Sequence, residues 1–107
     1  MPALTQEEHT DKMFSYKAGQ ASVIECDEGF SVQVIGRAGL LYREGERQLH
    51  VGSELLLGPT GQVIYTKSIK AWEPPFQQDE IDVSKKEQII DNIRRAFRWT
   101  GYEIEVD

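Results

Sequence analysis

One segment near the C-terminus has the residue spacing of an amphipathic helix, and this spacing constrains the rest of the fold. Its apolar positions recur at i, i+4, i+7 and i+8, which places them on one helix face. They are Ile89, Ile93, Ala96 and Phe97. Ser84 is followed three residues later by Glu87, as in a capping box. We therefore expect a helix over residues 84–100 that packs its single apolar face against another element.

The segment before this helix predicts short strands joined by turns. Two pairs of runs rich in β-forming residues each flank a turn that contains glycine, which is typical of hairpins. The first pair is Ser22–Cys26 with Phe30–Ile35, and the second is Leu40–Arg43 with Arg47–Val51. A further strand is expected over Gln62–Thr66.

Apolar and acidic residues alternate after the helix and predict a final strand within residues 102–107. The resulting fold class is α+β: an antiparallel sheet, as a meander or a small roll, packed on one C-terminal helix and followed by a final strand. Residues 1–17 are polar and have no clear period, which predicts a loosely ordered N-terminal tail with a short strand near residues 13–16. Residues 18–107 are predicted to form a single domain.

The chain is acidic, and its charge is unevenly distributed. The formal net charge is −6, and the helix segment carries five basic and two acidic residues, so the remainder carries −9. Such a chain is unsuited to the phosphate backbone of nucleic acids, which proteins bind with lysines and arginines. An acidic body fits a basic protein partner, and it is also compatible with a role in solubility alone.

Residue types that carry catalysis or bind metals are scarce. Cys26 is the one cysteine, which excludes an internal disulfide, and with two histidines the common Cys/His zinc sites are excluded as well. No catalytic motif is found, so we expect no enzymatic activity, no cofactor and no metal. No apolar run approaches the ~20 residues of a membrane helix, and no secretory leader is recognised. The expected location is the cytoplasm.

Two groups of carboxylates are the candidate partner-binding residues. The first lies in the loop before the helix, and the second alternates with the apolar residues of the last strand. Like charges two residues apart on one strand face repel one another and favour a cationic partner. The alternative interpretation is an ordinary solvent-exposed face. The candidates are Glu73, Asp79, Glu80, Asp82, Glu103 and Glu105.

The C-terminal half of the chain resembles a known family. An aromatic-acid-proline element, Trp72–Pro75, leads through an acidic stretch to the helix run Ile89–Phe97, which is followed by Gly101 and an acidic last strand. In these residues, over roughly residues 50–107, the chain resembles the small α+β immunity proteins of bacterial polymorphic-toxin and contact-dependent growth-inhibition systems.

The resemblance implies a cytoplasmic protein without enzymatic activity that binds the C-terminal domain of one cognate toxin. The toxin of such a pair is commonly a nuclease with a basic substrate-binding surface, so an acidic binder can cover that surface or the active site. The family supplies no binding motif, and the candidate carboxylates rest on their charge. Two alternatives remain, a generic interaction or assembly adaptor and a small ligand-binding or enzymatic domain that uses a concave sheet face. The identity of the toxin and the oligomeric state stay open.

Overall fold

A computed structural model describes residues 13–36, 39–55 and 60–107 of the chain. Within these ranges the chain forms seven strands, one short 3-10 helix and one long α-helix. In chain order the elements are β1 (Phe14–Lys17), β2 (Gln20–Cys26), β3 (Phe30–Gly36), β4 (Gly39–Glu44), β5 (Arg47–Leu55), β6 (Thr60–Ile64), the 3-10 helix (Thr66–Ser68), α1 (Val83–Trp99) and β7 (Glu103–Val106). The prediction of an α+β fold with one C-terminal helix and a final strand is confirmed.

The seven strands form one curled sheet whose spatial order follows the chain from β1 to β7. Neighbouring strands from β1 to β6 are antiparallel, so both predicted hairpins are present. β7 instead runs parallel to β6. A parallel return needs a long crossover connection, and the segment between Ile64 and Glu103, which contains α1, supplies it.

Alternation along the strands separates an apolar face from a polar one. Val32, Tyr42 and Leu49 are cross-strand neighbours on β3, β4 and β5, and each is at most 1% exposed. On the opposite face of the same strands, Arg43 Nη1 donates to the side-chain oxygen of Gln33 at 3.1 Å. The apolar face therefore points to the core, as the period of two residues in β3 predicts.

The apolar stripe of α1 fills the core from the helix side. Ile89, Ile93 and Ala96 are fully buried, and Phe97 is 6% exposed. Trp72, in the loop before the helix, belongs to the same core. Trp99 lies off the stripe and stacks on Phe14 of β1, with 6.1 Å between the ring centroids. The helix thus packs against the sheet through the apolar residues that its helical spacing places on one face.

The predicted capping box at the start of the helix is wrong. α1 begins at Val83, and its N-cap is Asp82, whose Oδ1 accepts the backbone N–H of Lys85 at 2.8 Å. Asp and Ser are comparable N-cap residues. Because Asp82 comes first in the chain, Ser84 already lies inside the first helical turn.

β1 lies within the segment for which the sequence predicts a tail. Phe14 is 8% exposed and lies in register with Cys26 of β2. The remainder of the predicted tail, residues 1–12, lies outside the described residues. The division of the chain at residue 18 stays a prediction.

Replacing a fully buried residue of α1 tests the packing of helix on sheet. We expect Ile93→Ala to lower the free energy of unfolding by about 2–5 kcal/mol, because it leaves a cavity in the core. Val83→Ala is the matched control, because Val83 is 73% exposed and such surface changes stay within about 0.5 kcal/mol. Chemical denaturation measures both. Equal losses for the two variants would contradict the packing described here.

Candidate functional site

The acidic loop, residues 73–82 before α1, is attached to β5 by Glu73. The Glu73 carboxylate accepts a hydrogen bond from Gln48 Nε2 at 2.8 Å, and the Glu73 backbone N–H donates to the carbonyl of Gln48 at 2.8 Å. Gln48 in turn accepts a hydrogen bond from Arg43 Nε at 3.1 Å. Glu73 is half-buried. This candidate residue therefore serves to position the loop.

A second carboxylate of the loop, Asp79, pairs with an arginine of β5. Arg47 Nε donates to Asp79 Oδ2 at 2.9 Å. The Arg47 guanidinium also lies over the ring of Phe76, 4.7 Å from its centroid, in the geometry of a cation–π contact. Both partners are partly exposed, with 42% and 46% side-chain exposure. Part of the negative charge of the loop is thus neutralised by Arg47.

The remaining loop carboxylates differ in role. Asp82 caps α1, so its charge offsets unpaired backbone N–H groups at the helix start. Glu80 is exposed and makes no hydrogen bond or ion pair with the described residues. A cavity of about 310 Å³ beside Trp72 is lined in part by Asp79, Glu80 and Asp82. The structure therefore brings three of the predicted loop residues together, and Glu80 is the one without a partner among the described residues.

The carboxylates of the last strand lie on the sheet face that points away from the core. The Nε of Arg98, on α1, lies 3.1 Å from Oε2 of Glu103 and forms an ion pair with it. Glu105 lies in register with Val63 of β6, which lies in register with Glu54 of β5. Ile104, between the two glutamates, is 9% exposed and belongs to the core. The predicted alternation of the last strand is present, with its glutamates outward.

Two tyrosines accompany these carboxylates. Tyr102 is 51% exposed, and its ring lies so close to Gly61 that a Cβ at that glycine would be 3.0 Å from the ring. The neighbouring Glu54 carboxylate raises the pKa of the Tyr65 hydroxyl above its ordinary value. We name this surface the outer face; it comprises Glu54, Val63, Tyr65, Glu103 and Glu105, together with Tyr102, which directly precedes β7 and lies beside Gly61.

Sequence reasoning missed three residues of the outer face, namely Glu54, Tyr65 and Tyr102. The available signal was the two-residue period of each strand, which places Val63 and Tyr65 on one face. That signal was insufficient, because Glu54 joins this face only through the pairing of β5 with β6.

The two predicted groups of carboxylates do not form one surface. Asp82 caps the first turn of α1, whereas Glu103 pairs with Arg98 in the last turn. A helix of 17 residues is about 25 Å long at 1.5 Å per residue. The acidic loop and the outer face therefore lie near opposite ends of the helix.

A chain of polar contacts fixes the helix between these two ends. The Tyr42 hydroxyl donates to Glu44 at 2.7 Å and accepts from Asn92 Nδ2 at 2.9 Å. Glu44 pairs with Lys85 near the helix start. Asn92 Oδ1 accepts from Arg95 Nη1 at 3.2 Å. Burial raises the pKa of Tyr42 above its ordinary value, so the hydroxyl stays protonated and remains a donor.

Arg95 continues this chain of contacts to the turn between β2 and β3. Its guanidinium donates to both carboxylate oxygens of Glu28, at 3.1 and 2.6 Å. The hydrogen bond from Arg95 lowers the pKa of the Glu28 carboxyl below its ordinary value. This pair ties the second half of α1 to the β2–β3 hairpin. In the order of strands, that hairpin lies close to β1, whereas β7 is at the opposite end.

The structure bears on other kinds of site as well. Within residues 13–36, 39–55 and 60–107, no group of His, Cys, Asp or Glu side chains has an arrangement that could hold a metal ion. No helix in those ranges is long and apolar enough to cross a membrane. Cys26 is buried, and its Sγ accepts the backbone N–H of Glu28 at 3.5 Å. His50, on β5, is exposed.

The fold and its surfaces define a small α+β domain with an acidic outer face and an acidic loop. The family model Imm74, described as Immunity protein 74, matches residues 32–107, and the chain belongs to this family. The match includes every candidate carboxylate and confirms the predicted resemblance to immunity proteins. Membership implies a toxin as the cognate partner. No curated protein and no solved structure matches the chain.

Substitutions in the acidic loop test the assignment of Asp82 as a structural residue. We expect Asp82→Ala to lower the free energy of unfolding by about 1 kcal/mol, since it removes the N-cap of α1. Glu80→Ala, two residues away and without a partner among the described residues, should stay within about 0.5 kcal/mol of the native chain. Urea unfolding of both variants provides the comparison. A larger loss for Glu80→Ala than for Asp82→Ala would refute the assignment.

Proposed function

We propose that this immunity protein neutralises one cognate bacterial toxin domain, a nuclease, by covering a basic surface of that domain with its own acidic surface. It acts as an inhibitor without enzymatic activity and without a cofactor, in the cytoplasm where the toxin would reach nucleic acid. The observation that carries the proposal is the outer face, where carboxylates of β5 and β7 lie on the outward side of the sheet, with Tyr65 directly after β6 and Tyr102 directly before β7, in a chain of the Immunity protein 74 family.

The charge of the chain supports a basic partner. With a formal net charge of −6, the protein attracts a positively charged domain and accelerates their encounter. A nuclease binds the phosphates of its substrate with lysines and arginines. A protein surface that presents carboxylates can therefore occupy the same cationic side chains and exclude the nucleic acid.

The composition of the outer face supports a role in binding. Tyrosine is enriched among the residues that contribute most to protein interfaces. Tyr102 exposes half of its surface directly before Glu103.

Co-expression with the toxin domain encoded next to this gene tests the proposal. We expect the chain to restore growth of cells that produce the toxin domain and to co-purify with it as a 1:1 complex on size exclusion. Because the attraction is electrostatic, the association rate should fall as the salt concentration rises. Stopped-flow mixing of the two purified proteins at several salt concentrations measures this dependence.

A control for this experiment is a toxin domain from an unrelated polymorphic toxin, which the chain should neither bind nor neutralise. Cell death in the presence of the chain, together with the absence of a complex, would contradict the immunity function. The adaptor interpretation would then be the one to test. A complex whose association rate is independent of salt would contradict the electrostatic part of the proposal and leave the immunity function standing.

A further inference from the structure

β7 lies at one end of the sheet order, so β6 is its one hydrogen-bonded neighbour among the described strands. The backbone N–H of Asp107, directly after β7, donates to the carbonyl of Ile64 on β6 at 2.9 Å. In an extended strand, the backbone N–H and C=O groups of successive residues point to opposite edges. The groups of Glu105 therefore also point to β6, whereas those of Ile104 and Val106 point to the open edge.

An open edge strand is a template for pairing with another chain. Proteins restrict such pairing with short strands, charged side chains, prolines, bulges or covering segments on the edge strand. β7 is four residues long and contains no proline, and its two charged side chains, Glu103 and Glu105, restrict the strands that can pair with it. Among the described residues, no strand pairs with its N–H and C=O groups at this edge, so they can accept a strand that suits its side chains.

The side chains of β7 select the charge of that strand. Glu103 and Glu105 project from the same face, two residues apart. A second copy of β7 at this edge would place carboxylates beside carboxylates, and like charges on neighbouring strands are destabilising. A strand with lysine or arginine at alternate positions would instead place a cation beside each glutamate. The edge therefore disfavours self-association and favours a basic strand.

Exposed apolar surface at both ends of β7 adds contact area for such a strand. Tyr102 precedes β7 and is 51% exposed, and Val106, at its end, is 41% exposed. Glu105 makes no ion pair with the described residues, whereas Glu103 already holds Arg98 at 3.1 Å. Glu105 is consequently the carboxylate that an incoming cation can reach without displacing a partner.

We propose that β7 accepts an extended, basic segment of the cognate toxin domain as an additional strand of the sheet. Main-chain hydrogen bonds to Ile104 and Val106 hold the segment, and its lysine or arginine side chains lie beside Glu103 and Glu105. This inference rests on the proposed function, because it names the way in which the toxin is bound. It concerns binding alone and involves no chemical step.

A pair of variants at one position separates the backbone contact from the side-chain contact. Val106→Pro and Val106→Ala both remove the valine side chain, but only proline also lacks the N–H that points to the open edge. Since that N–H does not point to β6, the pairing of β6 with β7 should persist in both variants. We expect Val106→Pro to bind the toxin domain encoded next to this gene about tenfold more weakly than Val106→Ala does. The reason is that the proline variant loses a main-chain hydrogen bond to the toxin. Titration calorimetry measures the affinities, and circular dichroism measures the melting temperatures.

A second pair of variants keeps the test decisive if the proline unfolds the chain. Glu105→Lys reverses the charge beside the edge, and Glu46→Lys makes the same change in the exposed turn between β4 and β5. We expect Glu105→Lys to weaken binding about tenfold more than Glu46→Lys, since it opposes a neighbouring cation. Equal affinities of the two lysine variants, or of folded Val106→Pro and Val106→Ala, would overturn the edge proposal while the toxin still binds. A native chain that does not bind the toxin domain would overturn the proposed function as well.

Discussion

The buried hydroxyl of Tyr42 is the contact on which the placement of α1 against the sheet depends. It accepts a hydrogen bond from Asn92 on the helix and donates one to Glu44 on its own strand. A buried polar group without a partner costs about 1–3 kcal/mol. A rotation of α1 would break the bond between them and leave the buried amide N–H of Asn92 without its acceptor. The hydrogen bonds therefore select one orientation of the helix among those that its apolar stripe would allow.

Ion pairs extend from this buried contact towards both ends of α1. Glu44 holds Lys85 in the first helical turns, and Arg95 links Asn92 to Glu28 in the second half. The start of the helix carries the acidic loop, and its end leads into β7. The orientation of one helix thus determines where both groups of carboxylates lie. It also explains why they lie apart although both have the same charge.

Sequence reasoning could predict the elements whose residues repeat with a fixed period. The 3.6-residue spacing of Ile89, Ile93 and Phe97 predicts the helix within one residue of its observed ends, because it leaves few other interpretations. The sequence does not identify the N-cap correctly, since two capping residues, Asp82 and Ser84, lie close together. The order of the strands and the parallel direction of β7 depend on the crossover connection, and no local pattern specifies that connection.

The candidate site was predictable only in part for the same reason. Charge identified the carboxylates, but their partners lie far away in the sequence. Glu73 is bound by Gln48, 25 residues earlier, and Asp79 by Arg47, 32 residues earlier. These contacts assign structural roles to residues that the sequence presents as equal candidates. What remains without a partner among the described residues is Glu80 in the loop and Glu105 at the edge of the sheet.

Hydrogen exchange of the chain alone and in complex with the toxin domain tests most directly where the toxin binds. If a toxin segment pairs with the edge of β7, the backbone amides of Ile104 and Val106 exchange more slowly in the complex than in the free chain. The amides of residues 73–82 should then exchange at the same rate in both. Slower exchange confined to residues 73–82, with unchanged exchange at Ile104 and Val106, would contradict binding at β7 and place the interface at the acidic loop.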